Sequence, residues 1–125
     1  MTMRRLPALL LALPLAGCEG DSPTTCPDIV PPMMLIQVQD ASTGQPAAEG
    51  AGGSIGEGAF TSPLRRYDAD RLAPEAVGRP GTYTVVVQKP GFQPWTRTGV
   101  QVDVDACGAK TVHLEAFLLP VPQGG

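Results

Sequence analysis

Few side chains in this chain could carry chemistry. There is one histidine, His113, and there are cysteines at positions 18, 26 and 107. Two pairs of carboxylates sit at alternate positions, Asp68/Asp70 and Asp103/Asp105. His113 could serve as a general base, but a Ser–His–Asp relay would have to recruit Ser22, Ser42, Ser54 or Ser62. None of these sits in a nucleophile-elbow context. The plainer role for His113 is an ordinary surface histidine on a strand face opposite Val112 and Leu114. Alternate residues of a strand share a face, so Asp103 and Asp105 could both offer oxygens to calcium. That ion wants six or more oxygens, and no EF-hand loop is present; a solvated strand face accounts for the pair equally. Gly50 to Gly58 is glycine-rich but lacks the lysine of a phosphate loop. The residues therefore nominate no catalytic group, no metal site and no cofactor.

The cysteines need their context. Arg4 and Arg5 precede an apolar run from Leu6 to Leu15, too short for a bilayer span of roughly 20 residues and suited to the apolar stretch of a secretory signal peptide. Pro7 and Pro14 within it disfavour a buried structural helix. Leu15-Ala16-Gly17-Cys18 follows, with small residues before the cysteine. This resembles the lipobox of bacterial lipoproteins at all four positions. The competing reading is an ordinary signal peptide beside an unrelated cysteine. The resemblance implies cleavage after residue 17, lipidation of Cys18 and a membrane contact made through acyl chains. Glu19 is not the aspartate that retains such proteins in the inner membrane, so it implies an outer-membrane address where the cell has one. With Cys18 lipidated, Cys26 and Cys107 remain in an oxidising compartment, where pairing is the default. Such a loop is worth about 4–5 kcal/mol in the chain-entropy model. The alternatives are two free thiols or metal ligands, although two cysteines and one histidine make a poor zinc site.

Removal of residues 1–17 would leave residues 18–125, a length suited to one domain. Losing Arg4 and Arg5 takes the basic residues from 9 to seven against 12 acidic ones, a net charge of about −5. An acidic chain whose only basic pair is Arg65-Arg66 gains nothing from a polyanion, so nucleic acid is not an expected partner.

The elements that must position these residues read mostly as strands. Residues 18–25 form a polar tether, and Cys26-Pro27 would pin its end. Met34 to Asp40 alternates, with Met34, Ile36 and Val38 on one face, and Asp40 to Gly44 is turn chemistry. Ala47 to Gly58 could hold a weak strand near Ser54-Ile55 or a flexible loop. Phe60 to Ala76 is polar and proline-bounded, with a short helical turn possible within Asp68 to Leu72. Gly81 to Gln88 places Tyr83, Val85 and Val87 together, and Lys89-Pro90-Gly91 turns the chain. Trp95 to Val104 extends, with Val100, Val102 and Val104 on one face. Lys110 to Leu118 places Val112, Leu114, Ala116 and Leu118 on one face and His113 and Glu115 on the other. Residues 120–125 read as a disordered tail.

This order of pieces resembles the carboxypeptidase regulatory-like domain, a Greek-key sandwich of the transthyretin (prealbumin) kind. The residues that carry the likeness are Ile36-x-Val38-x-Asp40 with Thr43-Gly44, then Gly81-x-Tyr83-x-Val85-x-Val87 with Gly91-Phe92, then Val102-x-Val104-Asp105-x-Cys107 and Val112-x-Leu114. It covers about Leu35 to Leu118 and departs from the pattern between Ala47 and Ala76. The expected fold is all-β, a single antiparallel Greek-key β-sandwich of about seven strands spanning residues 26–119. The resemblance implies an accessory module without catalysis of its own, in a lipid-anchored envelope protein that binds a protein partner or supports an assembly. The alternative is a carbohydrate- or peptidoglycan-binding module. Trp95 would then be the ligand contact, stacking on a sugar or a partner; its competing role is to cover the sandwich edge beside Phe92 and Pro94.

Overall fold

The computed structural model describes residues 25–122. The signal-peptide segment 1–17, the lipidation residue Cys18 and nearly all of the tether 18–25 lie outside the described residues.

The described chain is all-β. The strands run β1 (Met34–Asp40), β2 (Gly52–Glu57), β3 (Phe60–Arg66), β4 (Arg71–Pro74), β5 (Gly81–Gln88), β6 (Trp95–Val102), β7 (Val104–Asp105), β8 (Gly108–Ala109) and β9 (Val112–Leu118). Seven of them join in the order β6-β5-β2-β3-β4-β1-β9, while β7 and β8 form a separate two-stranded hairpin. The ribbon changes partner along β3. Its first half, to Pro63, pairs with β2, and its second half, from Leu64, pairs with β4. Pro63 stands at that change of partner, where a missing N–H costs least; its carbonyl still accepts from Glu75 N at 3.0 Å. The two halves close on one core in a sandwich-like arrangement. One half contributes Ile55, Tyr83, Val85, Val87, Val100 and Val102, and the other Met34, Ile36, Val38, Leu72, Ala116 and Leu118. The alternation expected of β1, β5 and β9 is therefore present, with the inward members almost wholly buried.

The sheet is mixed rather than wholly antiparallel. β1 pairs with β9 in parallel, in step from Met34↔Val112 to Asp40↔Leu118. This register sets Ile36, Val38, Leu114, Ala116 and Leu118 on the same core face, so the first and last long strands share one apolar layer.

The middle of the chain holds three strands where one or two were in doubt. β2 has a single large apolar side chain, Ile55, and is held by pairing on both sides, to β3 and β5. No helical turn forms within Asp68 to Leu72. The chain makes the β3–β4 hairpin there instead, closed by Tyr67 N donating to Arg71 O at 2.9 Å. The Asp68 carboxylate accepts from Asp70 N at 3.0 Å and from Arg71 at 2.9 and 2.6 Å, which fixes the turn.

Two further expectations change. Val104 does not continue the inward row of Val100 and Val102; it is 39% exposed. Lys110 N donates to Asp103 O at 2.8 Å, which folds residues 104–109 out of the main sheet as the β7–β8 hairpin. Of the tail, residues 120–122 are described and residues 123–125 lie outside the described residues. Gln93 N donates to Leu119 O at 2.7 Å and Val121 N to Gly91 O at 3.0 Å, so the segment after β9 is strapped to the β5–β6 loop.

Candidate functional site

The structure disperses the residues that could carry chemistry. His113 is exposed on the outer face of β9, in register with Leu35. Ser42 Oγ donates to Asp40, and Ser62 Oγ, in a 3% exposed residue, accepts from Ala76 N at 2.9 Å. Residues Gly52 to Gly56 spell Gly-x-Ser-x-Gly, yet Ser54 lies mid-strand in β2 between Pro63 and Val86, on no strand-to-helix turn. Among the described serines, none hydrogen-bonds to His113. Asp103 accepts from Gln101 Nε2 at 3.2 Å, and Asp105 accepts from Cys107 N at 2.8 Å, so both carboxylates serve the loop that carries the hairpin. Among the described residues no cluster of three or more His, Cys, Asp or Glu is arranged to hold a metal ion.

Cys26 and Cys107 form a disulfide, with Cα atoms 5.2 Å apart. It joins the segment before β1 to the turn between β7 and β8.

Trp95 opens β6 opposite Val87 and packs, half-buried, against the core together with Phe92. The Arg97 guanidinium lies 5.2 Å from its ring centroid. One ring face therefore has a cation over it while the indole covers the core, the arrangement expected of an edge-covering side chain.

Sequence reasoning missed a buried-edge cluster around Arg79. Its guanidinium sits 3.8 Å from the Phe60 centroid, and its Nη1 donates to Glu57 Oε1 and to Tyr83 Oη, both at 2.9 Å. The Tyr83 hydroxyl in turn donates to Arg79 O at 2.8 Å. Glu57 also accepts from Thr82 N at 2.8 Å, and that bond, followed by the one from Arg79, holds its carboxyl below the usual carboxylate range. No local signal marks Gly78-Arg79-Pro80 as more than a loop; the cluster arises from strands far apart in sequence. It ties β2, β3 and β5 together at one end of the sandwich and has the character of a lock.

Sequence reasoning also broke up an apolar stripe. β9 is the terminal strand of the ribbon and pairs only with β1. Its outward row begins with the polar His113 and Glu115 and continues with Phe117, Leu119 and Val121, which are 47, 54 and 38% exposed. The intervening Leu118 is fully buried, so Phe117 and Leu119 share the outward face, and the extended bridge of Pro120 to Phe92 carries the alternation on to Val121. The strap to Gly91 and Gln93 holds the second half of this stripe extended. The alternation from 113 to 121 was the available signal, and Pro120 had obscured it. Among the described residues no enclosed pocket is present.

No protein-family model matches the chain, and no curated protein matches it.

Proposed function

We propose that this chain is a non-enzymatic lipoprotein of the cell envelope, anchored through Cys18, whose β-sandwich docks a protein partner. The observation that carries the docking is the exposed stripe Phe117-Leu119-Val121, which begins on the terminal strand β9 and runs into the segment strapped after it. Isolated surface hydrophobics are ordinary. Three in a row on a fixed extended segment form a contiguous apolar strip with polar residues at one end, which is the make-up of a protein interface. The unpaired edge of β9 adds backbone donors and acceptors that an incoming strand can use. The anchor rests on the segment from Arg4 to Cys18. The disulfide supports it indirectly, because a bonded pair fits an oxidising compartment.

Two experiments test the reading. Cys18→Ala is expected to yield unlipidated protein released from membranes, and retention like that of the wild type would overturn the anchor. Cross-linking in intact cells is expected to attach one reproducible envelope protein near residues 117–121, and Leu119→Asp is expected to abolish it. Cross-links that survive that substitution unchanged would remove the stripe from the interface.

A further inference from the structure

The segment that enters the domain is held by a covalent bond and not by the sheet. Residues 25–30 are all exposed. Among the described residues, no backbone hydrogen bond involves residues 25–31. The first ties come after them, where Thr111 Oγ1 donates to Pro32 O at 2.7 Å and Val112 N donates to Met33 O at 3.0 Å. The Cys26–Cys107 bond is thus the one cross-link upstream of that point. Its two ends are unlike. Cys107 belongs to the body: Asp105 accepts from its N–H at 2.8 Å, neighbouring Ala109 is only 6% exposed, and Lys110 N is bonded to Asp103 O. Pro31 is half-buried and packs against Gly108 of the hairpin, so Cys26 belongs to the exposed stretch before it, residues 25–30, which makes no backbone hydrogen bond to the body and is joined to it by this bond.

We propose that the disulfide is a redox-operated clasp, whose reduction frees residues 25–30 as a leash while the sandwich stays folded. Cys26 is exposed and Cys107 half-buried, so a thiolate of a dithiol reductant attacks Sγ of Cys26. A sulfur–sulfur bond forms to the reductant, the original bond breaks, and Cys107 leaves as a thiolate and takes up a proton. The second thiol of the reductant then displaces Cys26, which is protonated in its turn. The reductant ends as a disulfide, and two electrons and two protons have passed to the protein. The point at which the chain leaves the body moves from Cys26 to Pro31. These are five residue steps apart, so the chain before Cys26 can lie up to about 17 Å further away. The clasp does not depend on lipidation; where Cys18 is anchored, it sets how far the domain stands from the bilayer.

The test is ¹⁵N relaxation of the protein as isolated, before and after dithiothreitol in native buffer, with Cys26→Ser/Cys107→Ser as a second route to the open state. In the oxidised protein the amides of Thr25, Cys26, Asp28, Ile29 and Val30 are expected to have order parameters close to about 0.85, falling below about 0.6 on reduction, while the dispersed signals of β1 to β9 stay in place. Order parameters that do not fall would show that something other than the bond holds the segment. Loss of the dispersed sheet signals would show that the bond maintains the fold and is no clasp. A disulfide that resists dithiothreitol until denaturant is added would show that the native protein cannot open it. Each of these three results overturns the proposal.

Discussion

Tyr83 has two functions within one strand position. Its ring is 1% exposed in the core, and its hydroxyl both donates to Arg79 O and accepts from Arg79 Nη1. Tyr83→Phe keeps the ring and leaves a shielded carbonyl short of a donor, so a loss of about 1–2 kcal/mol is expected in urea unfolding. Glu57 sits in the same cluster, and its case is one of pH. Its folded-state pKa is lowered, so its contribution is present above the unfolded value and is lost as pH falls through the folded one. Wild-type stability is therefore expected to drop as the solution is acidified below the ordinary carboxylate range. Glu57→Gln should be less stable at neutral pH and flatter across that acid interval. A variant with the same acid slope as wild type would remove Glu57 from the linkage. Trp95 offers a third contrast. If it covers the core edge, Trp95→Ala costs about 2 kcal/mol, less than a fully buried Trp would, and leaves partner cross-linking unchanged in protein that remains folded.

At the scale of elements, β2 shows how pairing can impose a strand on a sequence that does not favour one. Adjacent glycines in it have opposite requirements. At Gly53, φ is +143° and an added Cβ would lie 1.9 Å from Val86 O, so only glycine lets β2 and β5 close. At Gly52 an added Cβ meets nothing within 4 Å. Gly53→Ala is expected to lower the denaturant midpoint severely, by more than about 3 kcal/mol, whereas Gly52→Ala should be neutral or slightly stabilising. The same strand explains what was legible in the sequence. β1, β5 and β9 have large apolar residues at every second position and their faces could be read directly. β2 has only Ile55, β3 contains Pro63, and β4 is four residues long, so their strand character comes from partners that sequence order does not reveal. Gly99 is a related case. Tyr83 faces Val100 while Val85 faces Arg97, which gives β6 an extra residue absorbed at φ +70°. Of the candidate site residues, the cysteine pair was legible once the lipobox resemblance set Cys18 aside. The stripe at 117–121 was hidden because Pro120 reads as a chain end until its neighbours are seen bonded to Gly91 and Gln93.

For the whole molecule, the disulfide closes a loop of 81 positions that contains β1 to β7 and leaves β8 and β9 outside. The chain-entropy model assigns such a loop about 4–5 kcal/mol. A domain of this size has roughly 5–15 kcal/mol in total. The Cys26→Ser/Cys107→Ser protein is thus expected to unfold at a markedly lower urea concentration than wild type. A midpoint equal to that of wild type would mean that the unfolded state was already restricted.

The parallel pairing of β1 with β9 has a consequence in time. Met34 and Val112 are 78 positions apart (112 less 34), so one side of β1 has no partner until nearly all of the described chain has been made. Contacts so distant in sequence form late and slowly. A polypeptide built in this way stays open through most of its synthesis and becomes compact only once its final strand is available. Truncation before Val112 should leave a species without cooperative unfolding.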